Sequence, residues 1–203
     1  ITNCCYLSGG TLISGPIERI SDVNIVPSPY LTGVLDEFFE LPLIPMIETT
    51  RGCPFSCSFC ADGKSSKNKI VRFEGSRTKE ELSYIADRVR NIDEIVITDL
   101  NFGMYQQDVE TASYIADIQR LKNWPILIKA SAGKNRPERI IETATLLKGS
   151  WVVGSAIQSS DQEILKNIKR NNISLDTYKE LNQRLSSLDE NATTYSEIIL
   201  ALP

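Results

Sequence analysis

The sequence predicts an α/β fold built on a parallel sheet. Five compact runs rich in Ile, Val and Leu recur along the chain, amphipathic stretches separate them, and the starts of those stretches carry helix-capping signals. Strand followed by helix, repeated in this way, calls for right-handed crossovers between parallel strands.

The elements follow in order. The first 42 residues read as a loop-rich linker, because "SGG", "SGP" and "VPSPYLTG" break any period. Within it "LDEFFEL", residues 35–41, predicts one short helix. The strand candidates are "PLIPMIETT" near 43–50, "DEIVITDL" at 93–100, "WPILIKASA" at 124–132, "SWVVGSAIQ" at 150–158 and "YSEIILAL" at 195–202.

In the first helix Leu82, Ile85, Ala86 and Val89 share one face, and "TKEE" suggests Thr78 as N-cap with Glu81 completing a capping box. The second helix carries Val109, Ala112, Ile115 and Ala116 on its stripe. The third starts at Pro137, where a missing N–H costs little, and points Ile140, Ile141, Ala144 and Leu147 inward. "SDQEILKNIKR" predicts a second capping box, Ser160 with Glu163, and an apolar face of Ile164, Leu165 and Ile168. The last helix, from about Asp176 to Leu188, buries Tyr178, Leu181, Leu185 and Leu188. Periodicity does not distinguish an open sheet from one curled into a barrel. In either case ligands are expected at the C-terminal ends of the strands.

Composition excludes several classes of function. With 203 residues, 41% apolar, 24% charged and a net charge of −4, the chain reads as an ordinary globular protein and not as a nucleic-acid binder. No apolar run reaches the length of a membrane span and no secretion signal opens the chain, so the expected compartment is the cytoplasm. The start at Ile1 and the stop at "EIILALP" predict a piece of a longer protein. The chain has no histidine, which removes imidazole triads, histidine zinc sites and histidine proton shuttles.

Three of the five cysteines lie in "TRGCPFSCSFC": Cys53, Cys57 and Cys60. They follow the first strand and therefore sit at the predicted functional face. Gly52 and Pro54 keep this stretch from continuing as strand or settling into helix, and Arg51 is a cation that would favour thiolates. Cys4 and Cys5 read as small interior residues. Three chemistries compete for the cluster. A structural zinc wants four ligands, a redox dithiol of Cys57 and Cys60 leaves Cys53 idle, and an iron–sulfur cubane held by three thiolates keeps one iron open. An open iron serves an enzyme; an electron carrier gains nothing from it.

A cysteine, three residues, a cysteine, two residues and a cysteine, with an aromatic before the last, resembles the signature of radical S-adenosylmethionine (radical SAM) enzymes. "CPFSCSFC" matches it, with Phe59 in the aromatic place. "VPSPYLTGVLDEFF", "ITDLNFGMYQQDVE", "SAGKNRPERI" and "QSSDQEILKNIKRNNIS" are similar to the subgroup whose radical domain follows a cobalamin-binding domain.

The resemblance implies a partial TIM-like (β/α) barrel over residues 43–203, truncated at about strand five, and a linker over 1–42 that follows a cobalamin domain. It implies Cys53, Cys57 and Cys60 as ligands of a 4Fe-4S cluster whose open iron binds S-adenosylmethionine, cleaved by one electron to a 5'-deoxyadenosyl radical. Phe59 would lie against the adenine. Asp99 and Asn101 in "TDLNFG" would accept from the cofactor's ammonium, with Ser131, Ser155, Gln158 and Ser159 as further cofactor contacts at strand ends. Lys129, Lys134 and Arg136 read instead as solvated loop charges. The implied partners are S-adenosylmethionine, a substrate the sequence does not name, and an electron donor such as flavodoxin or ferredoxin. The implied reaction classes are methyl transfer, rearrangement and ring closure. The runner-up reading is an iron–sulfur electron-transfer or structural zinc module.

Overall fold

The computed structural model describes residues 1–65, 67–187 and 194–203, with the side chain of Ser155 outside the description. The chain opens with a hairpin, β1 (Cys5–Ser8) and β2 (Thr11–Ser14), antiparallel and exposed along its length. Its two-residue turn is Gly9-Gly10, both at positive φ, as a tight hairpin turn requires. The sequence reading leaves this stretch as loop and places Cys4 and Cys5 in the interior, whereas both are exposed on the hairpin and its approach. A short 3-10 helix over Asp36–Glu40 stands where "LDEFFEL" predicts one.

The body of the molecule is a five-stranded parallel sheet. Its strands are β3 (Met46–Ile47), β6 (Glu94–Phe102), β7 (Leu127–Ala132), β8 (Val153–Gln158) and β9 (Thr194–Ile198), in that spatial order. Each overlaps one of the five apolar runs. Between β3 and β6 the chain forms β4 (Thr50–Arg51) and β5 (Val71–Arg72), an antiparallel clasp that ties together the two ends of the cysteine-bearing loop.

The helices are α1 (Gly75–Arg88), α2 (Gln106–Lys122), α3 (Pro137–Leu146), α4 (Gln162–Asn167) and α5 (Leu175–Ser186). Their apolar stripes meet the sheet through Leu82, Ile85, Ala112, Ile115, Ile140 and Leu181, all buried. Phe102 and Trp151 close this core edge to face, with ring centroids 5.1 Å apart. Ala116, Ile141, Ile164 and Tyr178 are only partly covered, and the predicted Leu188 lies outside the described residues.

Two capping expectations are corrected. The first helix starts at Gly75 with Glu74 as N-cap, so Thr78 lies inside it, its hydroxyl donating back to the Glu74 carbonyl. Glu81 is spent on Arg77, 3.0 Å away, whose guanidinium also stacks 4.4 Å over the Phe73 ring. At α4 the cap is Asp161, whose carboxylate accepts from the Glu163 and Ile164 amides, and Ser160 is exposed one residue earlier.

The sheet is regular at its start and irregular at its C-terminal edge. Register shifts occur between Ile97 and Phe102 on β6 and between Ala156 and Gln158 on β8. Such irregularities re-aim side chains. Here they fall on Asp99, Asn101 and Gln158, beside the cysteine loop.

Candidate active site

The loop from Gly52 to Ile70 is shaped by its own backbone. Cys53 N–H donates to Lys67 O at 3.3 Å, Cys60 N–H to Cys57 O at 3.2 Å and Gly63 N–H to Cys60 O at 3.1 Å. Gly63 is required sterically: a Cβ there would stand 2.3 Å from the Cys57 carbonyl oxygen. The loop is pinned from outside by Ser58 N–H donating to Ile168 O at 2.9 Å, just beyond α4.

Cys53 and Cys57 are buried and Cys60 is half-buried; all three are free thiols. Cys53 Sγ accepts from Asn101 Nδ2 at 3.4 Å. Cys57 Sγ faces two cations, Lys134 Nζ at 3.2 Å and Arg170 Nη1 at 4.0 Å. Cations beside a sulfur complement the negative charge of a metal–thiolate group. Among the described residues no three Cys, Asp or Glu side chains converge as ligands of a single ion. Cubane thiolates each hold a different iron and do not need to converge, whereas zinc ligands do.

Cys53, Phe59, Cys60, Ser131, Gln158 and Arg170 line part of a cleft of about 200 Å³ at the C-terminal edge of the sheet. Phe59 is 38% exposed there and therefore not a core aromatic. Gln158 sits at φ 62°, is buried, and its Oε1 has no partner among the described residues. Asn101 Oδ1 is likewise buried and unpartnered. Two orphaned acceptors are costly in a protein alone and suit a ligand that brings N–H or O–H donors.

The remaining predicted residues are placed differently. Asp99 is buried with Oδ1 accepting from Thr49 N–H at 2.7 Å and Oδ2 from the Thr49 hydroxyl, so both oxygens brace β6 against the end of β3. Burial pushes its carboxyl up to about 6. Ser159 accepts from Asp161 N–H in the turn into α4, and Ser155 lies on β8 opposite Ser196. Lys129 pairs with Glu94 at 2.6 Å, as a solvated charge does, but Lys134 is drawn to Cys57. The expected Arg51 is instead engaged with Glu48. Arg170 and Asn172 escape sequence reasoning, because their spacing resembles that of any polar turn between helices.

Residues 47–200 match the Radical SAM superfamily. This chain belongs to the radical SAM family. Members of the family bind a 4Fe-4S cluster and S-adenosylmethionine, and the three thiols, the cations about Cys57 and the orphaned acceptors fit those groups. Among curated relatives, the chain is 35% identical over 200 residues to the 2-(S-pantetheinyl)-carbapenam-3-carboxylate methyltransferase of Streptantibioticus cattleyicolor, covering 93% of this chain and 28% of that protein. It is 34% identical over 208 residues to the cobalamin-dependent radical SAM methyltransferase TokK of Streptomyces tokunonensis, covering 96% and 30%.

Solved radical SAM structures share the fold. The cobalamin-dependent enzyme OxsB with aqua-cobalamin bound superposes with a TM-score of 0.68 at 18% identity, over 97% of this chain and 29% of that one. The methyltransferase TsrM from Kitasatospora setae, with tryptophan and a SAM analogue bound, gives 0.67 at 14% identity, over 82% and 32%. This radical SAM chain spans less than a third of the length of the curated relatives it matches. No helix of its described residues is long and apolar enough to cross a membrane.

Proposed function

We propose that the chain is the radical-generating core of a cobalamin-dependent radical SAM methyltransferase, with residues 43–203 forming the core and 1–42 linking it to a cobalamin-binding domain. The observation that carries the reading is the three-thiol loop at the C-terminal edge of a parallel sheet, with Cys53 and Cys60 on a cleft that the unpartnered acceptor of Gln158 also lines, and that of Asn101 beside Cys53. The likeness to two curated methyltransferases, one of them named cobalamin-dependent, supports the reaction class.

Cys53, Cys57 and Cys60 hold the cluster in this reading, and Phe59, Asn101, Ser131 and Gln158 receive S-adenosylmethionine. When bound, the cluster supplies the electron that cleaves S-adenosylmethionine to a 5'-deoxyadenosyl radical, and cobalamin supplies the methyl group. Asn101 Oδ1 and Gln158 Oε1 accept from the cofactor's donors, while Asn101 Nδ2 keeps Cys53 in place. Phe59 covers the apolar face of the cofactor and excludes water from it. Asp99 acts at one remove, holding the end of β3, from which the cysteine loop departs. The electron donor is a small reducing protein such as flavodoxin or ferredoxin, and five free cysteines suit a reducing cytoplasm.

The test is product analysis of the full-length protein, reconstituted anaerobically and supplied with cobalamin, a reductant and S-adenosylmethionine. Formation of both 5'-deoxyadenosine and S-adenosylhomocysteine, each dependent on Cys53, Cys57 and Cys60, is expected. A protein that takes up neither iron nor cobalamin and makes neither product overturns the reading.

A further inference from the structure

Arg170 is 6% exposed, a rare state for a guanidinium, and it is delivered to its site by a specific turn. After α4 the chain stops in a Schellman arrangement: Lys169 takes φ 54°, Lys169 N–H donates to Lys166 O at 3.1 Å and Arg170 N–H to Leu165 O at 2.9 Å. This reversal drives the Arg170 side chain back between the end of β8 and the cysteine loop. There its donors diverge. Nε reaches Asn172 Oδ1 at 2.7 Å, one Nη donates to the Ala156 carbonyl of β8, and the other lies 4.0 Å from Cys57 Sγ. Asn172 in turn donates to Ile157 O at 2.6 Å, and the neighbouring Ile168 carbonyl takes the Ser58 amide.

Such a buried charge is held only where its partners compensate its lost hydration. The Ala156 carbonyl and the Asn172 amide supply two neutral partners. The third direction is the Cys57 sulfur, the ligand position that carries negative charge in the cluster reading.

We propose that Arg170 is a positioning residue for the cluster: it fixes Cys57 against β8 and its buried positive charge raises the cluster's reduction potential. The inference rests on the cluster reading above. A positive charge close to the sulfurs stabilises the reduced, more negative cluster over the oxidised one, and net charge and hydrogen bonds at the sulfurs are the levers that set this potential. Lys134 acts on the same sulfur from the cleft side but bridges no strand, so it shares the electrostatic role without the mechanical one.

The test uses the full-length protein, reconstituted anaerobically, with the wild type, Arg170→Gln, Arg170→Lys and Lys134→Gln compared. Iron content, cluster half-life under a chelator and the potential from an EPR-monitored redox titration are read. Arg170→Gln and Lys134→Gln are expected to shift the potential negative. Arg170→Lys is expected to restore the potential toward wild type, yet lose its cluster to the chelator several-fold faster, because lysine cannot reach Ala156 and Asn172 together. If Arg170→Gln does not fold, Arg170→Lys and Lys134→Gln carry the comparison. A wild type that binds a cluster, beside variants with its potential and half-life, overturns the assignment of Arg170 alone. A wild type that binds zinc or no metal overturns the cluster reading and this inference with it.

Discussion

The side-chain amide of Asn101, near the end of β6, donates to the Cys53 sulfur at 3.4 Å across a sequence separation of 48 residues. One half of the amide thus holds the cysteine loop while the other half, Oδ1, is buried without a partner among the described residues. A single residue therefore holds the cluster loop and, in the proposed reading, offers an acceptor to the cofactor.

Replacing Asn101 with Ala removes the acceptor offered to the cofactor. The expected result is a Kd for S-adenosylmethionine raised about tenfold, equal to ~1.4 kcal/mol, within the range for a lost buried hydrogen bond. Equilibrium dialysis on the cluster-loaded protein measures it. An unchanged Kd would show that Oδ1 does not meet the cofactor.

Two buried carboxyls make apo stability depend on pH. Burial pushes Asp99 up to about 6 and Asp108 up to about 7, above the ~3.9 of an unfolded Asp. The folded state then binds more protons than the unfolded state between about pH 4 and 7, so stability falls as pH rises through that window. Denaturant midpoints of the apo protein should decline from pH 5 to pH 7.5. Asp108→Asn should flatten the upper part of the decline, and a midpoint that rises over this range would contradict the assignment.

Gly63→Ala tests the shape of the cysteine loop. Its Cβ would meet the Cys57 carbonyl at 2.3 Å, so the backbone that carries Cys57 must move. Iron uptake on reconstitution should fall sharply, with a loss of roughly 1–3 kcal/mol in stability from overpacking. Wild-type iron content would show that the loop adapts.

Lys169→Gly acts in the opposite direction. Lys169 occupies the left-handed region that closes α4, where glycine bears no Cβ penalty. A gain of about 0.5–1 kcal/mol is expected in a denaturant titration. A loss would mean that the Lys169 side chain contributes more than its backbone strain costs.

The parallel sheet was legible in the sequence because its strands read as compact apolar runs separated by helical stripes, although burial is one-sided: on β6 Ile95 and Ile97 are buried on one face while Thr98 and Leu100 on the other are exposed. The hairpin was signalled by "CYLSGGTLIS", a two-residue glycine turn between matched runs, but its fully exposed strands lack the alternation that marks a half-buried strand. β4 and β5 have two residues each and are too short to carry a period. The helix starts slipped because Thr78 and Ser160 offer capping residues close to the true ones, while Asp161 wins by accepting from the Glu163 and Ile164 amides and Glu74 caps α1 with its backbone alone.

In the site, the spacing of Cys53, Cys57 and Cys60 and the aromatic Phe59 are local and could be read directly. The approach of Lys134 and Arg170 to Cys57 spans 77 and 113 residues and is created only by the fold. Asp99 illustrates the converse. Its position at a strand end suggested a cofactor acceptor, and the Thr49 amide and hydroxyl take both of its oxygens.

The most direct measurement of the central claim is the EPR spectrum of the reduced, anaerobically reconstituted protein with and without S-adenosylmethionine. One 4Fe-4S signal is expected, perturbed by S-adenosylmethionine and lost when Cys53, Cys57 or Cys60 is replaced by Ala. A signal indifferent to S-adenosylmethionine, or a colourless protein holding one zinc, would contradict it.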